Sequence, residues 1–412
     1  MYLTSSSSHI SFKALSFFDK IKFICILYLS VWMTSPFLAY GTIYRIFALL
    51  AIGLWVFLEF FEKRTVIFKP TSYILLLYIF LFYTMSVSYL ADGVSILIRN
   101  IQFYLMLFYL LVYASYQRKS LNILRPIVYI NIFLFTIWML TTYIALLENG
   151  HASRYVIRSG EEAMELTKKG VGGFTFIYSL LIYIISVLAL IKNRLRYKRL
   201  LNSITLFLIA SVILAMLVVL KAEYSTAVLL MVLSVVFFLF YSDSIQKNIV
   251  LFFVMLLIFI ALKFYMIDIL KMLLPYAEGT NYSHKILDSI SSIETGQATG
   301  TAEDRVERYI RSWNLFLEHP LVGVWSFRDI GKHSMILDTF AQFGFFGGVA
   351  LLYILLKVPI ELYKKASKSN KVFTITILFL IIALSSLNNV SMAYGFMFYI
   401  FYPVILYRLE HE

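Results

Sequence analysis

Long apolar runs recur along the whole chain, each close to the roughly 20 residues that an α-helix needs to cross a bilayer. They fall at 21–40, 43–61, 71–90, 94–116, 127–147, 174–191, 201–220, 225–241, 248–267, 334–356, 372–387 and 393–407. In hydrocarbon every backbone N–H and C=O must be satisfied within the protein, so runs of this length read as helices. The sequence therefore predicts an all-α integral membrane protein of twelve transmembrane helices. Composition agrees: 61% of residues are hydrophobic and 14% charged, against about 25% charged in soluble domains.

A formal charge of +13 would point a soluble chain toward nucleic acid. In a membrane protein the side on which the charge sits matters more, and no nucleic-acid partner follows. With the N-terminus inside, the inner segments carry Lys63, Arg64, Arg118, Lys119, Arg194, Arg196, Lys364 and Lys365, and the short outer turns hold almost none. Both termini are then cytoplasmic, residues 1–20 as a retained tail without a cleavable apolar core and 408–412 as a second tail. Cys25, the one cysteine, lies inside an apolar run, which leaves no intrachain disulfide and no cysteine-based metal site.

Polarity concentrates in two long outer segments. Residues 21–267 hold the first nine spans and enclose the outer loop 148–173, with His151, Arg154, Arg158, Glu161, Glu162, Glu165, Lys168 and Lys169. Residues 268–332 are long enough for a helical extracytoplasmic cap, and 333–407 supply spans ten to twelve. Function is expected in these segments, because ionisable groups are expensive inside the bilayer and outer loops meet exported substrates. No inverted repeat of the transporter kind stands out.

Within the cap, Thr301-Ala302-Glu303-Asp304 reads as a helix N-terminus with Thr301 as its cap, and the helix is expected to run to about residue 317. At 100° per residue, Val306, Tyr309, Ile310, Trp313, Phe316 and Leu317 form one apolar stripe. Arg305 lies at its border, while Arg308 and Arg311 point away. His333 stands where the tenth span leaves the outer face. A helix N-terminus disfavours the imidazolium, which would keep this ring neutral and able to accept a proton.

Taken together, Arg305-x3-Tyr309, His319-Pro320-Leu321-x-Gly323, His333-x3-Leu337 and Gly344-x2-Gly347 resemble the signature of the O-antigen polymerase and O-antigen ligase superfamily. The His-x10-Gly spacing from His333 to Gly344 matches that pattern, and the span layout extends the likeness over most of the chain. There are departures. Ser334 stands for the usual Asn, Gln342 for Glu, Tyr309 for Trp and Trp325 for the second glycine of the turn. The arginine that often enters the eighth span is absent from Lys221-Ala222-Glu223-Tyr224-Ser225-Thr226-Ala227. Lys221 supplies a charge one turn earlier, without the planar two-point contact of a guanidinium.

The resemblance implies a metal-independent glycosyltransferase of the GT-C type in the bacterial cell membrane, without cofactor. Its donor and acceptor would be oligosaccharides on undecaprenyl pyrophosphate, its surroundings membrane lipid, and its partners a chain-length regulator and a flippase. A pyrophosphate leaves readily, so the reaction needs positive charge to hold it and a base for the acceptor hydroxyl. Arg305 and His333 are the catalytic candidates in these roles. Lys221, Arg154 and Arg158 would help hold the pyrophosphate, with Arg308, Tyr309, Arg328 and Lys332 as further contacts to pyrophosphate or glycan. Metal use is disfavoured independently: the chain has no Asp-x-Asp, and a lone Asp92, Asp329 or Asp338 is a poor cage for a divalent cation.

Within this reading a repeat-unit polymerase for capsule or O-antigen leads. A ligase that moves finished glycan to another acceptor uses the same two residues and is the nearest alternative. A flippase without covalent chemistry is the alternative from another class, though transporters place ionisable groups at mid-membrane rather than in an outer cap.

Overall fold

The computed structural model describes residues 16–39, 42–61, 66–94, 101–156, 161–197, 202–241, 267–268, 270–295, 301–388 and 392–411. Among them there is helix and connecting turn but no strand. In chain order the helices are α1 (Phe17–Thr34), α2 (Pro36–Ala39), α3 (Thr42–Phe60), α4 (Ser72–Asp92), α5 (Ile101–Lys119) and α6 (Arg125–Glu148, entered through the 3₁₀ turn Leu121–Leu124). Next come α7 (Ala152–Tyr155), α8 (Glu161–Lys168), α9 (Phe174–Arg196), α10 (Ser203–Lys221) and α11 (Ser225–Phe240). The remainder are α12 (Asn281–Thr295), α13 (Thr301–Glu318), α14 (Met335–Lys365), α15 (Lys368–Leu387), α16 (Met392–Phe396) and α17 (Tyr402–His411), the last two joined by the π turn Met397–Phe401.

Seven of the described helices are long and apolar enough to cross a membrane: α3, α4, α6 with its 3₁₀ turn, α9, α10, α14 and α15. The chain is a multi-pass helical membrane protein. The remaining expected spans differ for visible reasons. Asp19, Lys20 and Lys22 charge the first turns of α1. α11 is apolar but short at 16 residues, and the run 393–407 is interrupted by the π turn. Only part of 94–116 is described, and 248–267 lies outside the described residues apart from Ile267.

α9 is the central pillar. Its sequence is apolar on every side, and a helix of that kind has no face to give to water. Fifteen of its residues are buried, and it packs against α10, α11, α15, α16 and α17. α3 is the opposite case: only 22% of its apolar window is buried, and lipid serves for the rest.

Polar side chains within the bundle join helices. Asn131 of α6 donates to the Ser30 hydroxyl (2.9 Å) and accepts from Thr34 (3.0 Å), fastening α1 to α6. Thr136 and Tyr183 share the Ser211 hydroxyl, tying α6, α9 and α10 together. Lys22 of α1 meets Glu59 of α3 at 3.0 Å, and Ser115 of α5 donates to the other oxygen of that carboxylate, also at 3.0 Å. All three side chains are buried. A buried charge persists only when paired and hydrogen-bonded in this way.

The expected helix 301–317 is α13, observed to Glu318; the capping role expected of the Thr301 side chain lies outside the described residues. Its expected apolar stripe divides. Tyr309 and Phe316 turn inward beside buried Ser312, whereas Val306, Ile310, Trp313 and Leu317 are exposed. The reason is that α13 meets α14 through a hydrogen bond from Ser312 to Asp338 (2.6 Å) as well as a ring contact from Phe316 to Phe340 (5.3 Å). A polar anchor, invisible to a hydrophobic periodicity, sets the rotation.

Candidate functional site

The site begins at the turn between α10 and α11, Lys221-Ala222-Glu223-Tyr224-Ser225-Thr226. Glu223 is buried and adopts φ +59° without being glycine, a conformation that costs about 1–2 kcal/mol. Its surroundings hold it there. The Glu223 carbonyl accepts hydrogen bonds from Arg154 and from Lys285 Nζ (2.8 Å). Its carboxylate lies 3.6 Å from His151 Nδ1. Next to it, the Tyr224 hydroxyl donates to the Ser153 carbonyl (3.1 Å), and the Arg154 guanidinium sits 5.0 Å over the Tyr224 ring. The two polar segments that are far apart in sequence thus converge on one turn.

Lys285 of α12 also donates to Ser225 Oγ (3.1 Å), and its neighbour Tyr282 anchors α12 by donating to the Leu220 carbonyl (3.0 Å). Arg305 of α13 donates to Thr226 Oγ1 (2.9 Å) at the first turn of α11. Three cations are therefore fastened by neutral acceptors within one turn of chain. Burial, then the positive Arg154 and Arg305, push the Lys285 ammonium down to about 8, with Glu223 opposing.

One turn beyond Arg305, the Tyr309 ring lies 5.8 Å from the His333 ring, centroid to centroid, and its hydroxyl donates to the Leu387 carbonyl (3.2 Å). His333 precedes the N-cap of α14, Ser334, whose hydroxyl accepts from the Leu337 amide. The ring is half-buried, and its Nε2 is buried with no hydrogen-bond partner among the described residues. Its pKa is lowered, as expected, but by burial first and then by Arg305 and Arg308. Desolvation disfavours the imidazolium, and the two guanidinium charges add to it.

The backbone that carries His333 is gathered on one buried carboxylate. Asp338 accepts from the amides of Lys332 (3.2 Å), His333 and Ser334 (3.1 Å), and from the Ser312 hydroxyl. Ser312 in turn accepts from the Gly331 amide (2.9 Å). Lys332 takes φ +60° to make this curl.

The glycines of the sequence signature meet each other. α14 breaks at Gly344, φ +67° and ψ −166°, and the His319–Trp325 loop docks on that break. The Val324 and Trp325 amides donate to the Ala341 and Gln342 carbonyls (3.0 and 2.9 Å), and the Phe345 amide donates to the Pro320 carbonyl (2.7 Å). A Cβ on Gly323 would lie 2.4 Å from the Gln342 carbonyl, and one on Gly344 would lie 2.2 Å from the Leu321 oxygen. Glycine is required here for backbone contact.

Of the residues singled out from sequence, Arg305, Arg154, Tyr309 and His333 come together around α13. Arg308 is exposed on α13, with its charge reaching His333 and its carbonyl against Gly331. Arg328 is ion-paired with Asp92 (3.4 Å), and Lys332 sits over the Phe327 ring and donates to the Arg328 carbonyl (3.0 Å). Lys221 is exposed at the end of α10; the lysine bonded to the turn is Lys285. Arg158 lies outside the described residues. Lys285 and Asp338 had no motif to mark them, since each acts through contacts between distant segments. Compared with family models and with curated proteins, the chain matches none.

Proposed function

We propose that this protein is a metal-independent glycosyltransferase that polymerises lipid-linked oligosaccharide repeat units at the outer face of a bacterial cell membrane, with twelve spans and both termini inside. The observation that carries the reading is His333, a half-buried imidazole whose pKa is lowered by burial and by Arg305 and Arg308, whose Nε2 has no hydrogen-bond partner among the described residues, and which feels the charge of a guanidinium fixed on Thr226. In this mechanism the acceptor hydroxyl oxygen attacks the anomeric carbon of the donor sugar. The bond from that carbon to the diphosphate oxygen breaks, the hydroxyl proton passes to His333 Nε2, and Arg305 with Arg154 stabilises the departing diphosphate.

The test is twofold. A deletion strain should display single repeat units where the parent displays polymer; long lipid-linked polymer would mean a ligase, and repeat units trapped inside would mean a flippase. With purified protein and lipid-linked repeats, elongation should fall as pH drops below the ordinary histidine value of 6.5, because only neutral imidazole accepts the proton and the His333 pKa lies lower still. A rate that is flat through that range while chemistry limits turnover would remove His333 from the role of base.

A further inference from the structure

The turn at Glu223 holds more positive charge than one phosphate uses, and it holds it in two places. Arg305 is fixed on Thr226, at the first turn of α11. Arg154 and Lys285 are both fixed on the Glu223 carbonyl, with Lys285 also on Ser225. We infer that Lys285, sharing that carbonyl with Arg154, is the residue that makes this site selective for a diphosphate ester over a monophosphate ester. The inference rests on reading the site as one for a lipid diphosphate, and it names the residue that reads the second phosphate.

The geometry gives each phosphate its own station. A phosphate at α11 meets Arg305, and charge at a helix N-terminus of this length is further favoured by the backbone dipole. The neighbouring phosphate meets Arg154 and Lys285. A monophosphate occupies one station and leaves the other with its two cations unused. The acceptors that anchor the cations are a carbonyl and two hydroxyls, which orient the side chains without neutralising them.

The charged groups facing Lys285 come from three other elements: Arg154 on α7 and Arg305 on α13, both positive, and Glu223 in the α10–α11 turn, negative. His151 Nδ1 stands 3.6 Å from that carboxylate. On its own helix, Tyr282 is pushed up to about 12 by burial and stays neutral. Burial, and then the neighbouring Arg154 and Arg305, hold Lys285 down to about 8, so a bound dianion raises it again and the complex takes up a proton near that pH. Arginine at this position would remain charged throughout.

The experiment uses the full chain in nanodiscs with geranyl diphosphate and geranyl monophosphate as probes, by calorimetry in two buffers of different ionisation enthalpy. Lys285→Met should weaken diphosphate binding about tenfold or more, the worth of one charge-assisted contact, and leave monophosphate binding nearly unchanged. Lys285→Arg should retain the preference. Wild type should take up a proton on binding diphosphate near pH 8, and Lys285→Arg should not. Equal weakening toward both probes, no proton uptake by wild type, or uptake that persists in Lys285→Arg would each overturn the assignment. Elongation by wild type together with an unchanged selectivity in Lys285→Met would sink Lys285 and leave the polymerase standing. Lost selectivity in a protein that never elongates would do the reverse.

Discussion

Asp338→Asn asks whether the buried carboxylate under the His333 loop orients the base. Asp338 is 7% exposed and accepts on both oxygens: Ser312 and Lys332 on Oδ1, Ser334 on Oδ2. Asparagine has the same shape and one acceptor oxygen. With that oxygen in the Oδ1 position, its NH₂ opposes the Ser334 amide, leaving a buried donor unsatisfied at about 1–3 kcal/mol. The bonds that remain change from charge-assisted to neutral and lose about half their strength. The sum, about 3 kcal/mol, falls on the loop 331–334 that carries His333, and the loop relieves it by moving. A displacement of about 1 Å at a catalytic group can cost about 10²-fold in turnover. The expected outcome is that elongation by purified Asp338→Asn drops about 10²-fold while its affinity for geranyl diphosphate matches wild type, since an amide oxygen at Oδ1 keeps the Ser312 bond that sets α13 and Arg305, and Arg154 and Lys285 lie on other elements. Turnover within about threefold of wild type would refute the positioning argument, and so would a parallel loss of diphosphate affinity.

Arg305→Ala should abolish elongation, whereas Arg311→Ala, which loses only an exposed pair with Glu307, should keep most of it; similar rates in the two variants, measured on lipid-linked repeats, would contradict the proposed role. Glu59→Gln should lower stability by about 3 kcal/mol by removing the short carboxylate partner of the buried Lys22 ammonium, which keeps the longer pair with Asp19 (3.9 Å), and Lys22→Met combined with Glu59→Gln should recover part of the loss; thermal denaturation of the purified variants checks this, and a double variant worse than either single would count against the pairing. A cysteine at exposed Ser289 should react with a membrane-impermeant maleimide added outside intact spheroplasts, since native Cys25 is buried; reaction from the inside only would invert the proposed topology.

The helical class was legible in the sequence because lipid imposes one solution on a long apolar run: the backbone must satisfy itself, and a helix does so locally. That is why α3, α4, α6, α9, α10 and α15 match expected runs to within several residues, while α14 starts as expected and runs on past 356 to Lys365. The extent of α13 was legible for a similar local reason, whereas Gly323 and Gly344 stood out only as separate motif positions and their contact is tertiary. What brings Arg154, Glu223, Lys285 and Arg305 to one turn is not local. It depends on four elements and on a non-glycine residue held at positive φ by its neighbours, and no periodicity encodes that. The rotation of α13 shows the same limit. Apolar spacing located its hydrophobic stripe, but Ser312 on Asp338 chose which side faces α14, because one buried hydrogen bond to a carboxylate outweighs the smeared preference of an amphipathic surface. The sequence by itself determined which segments are helices and which carry charge; tertiary contact alone decided which charges meet, since electrostatic and hydrogen-bonding partners are selected by distance in space rather than by separation along the chain.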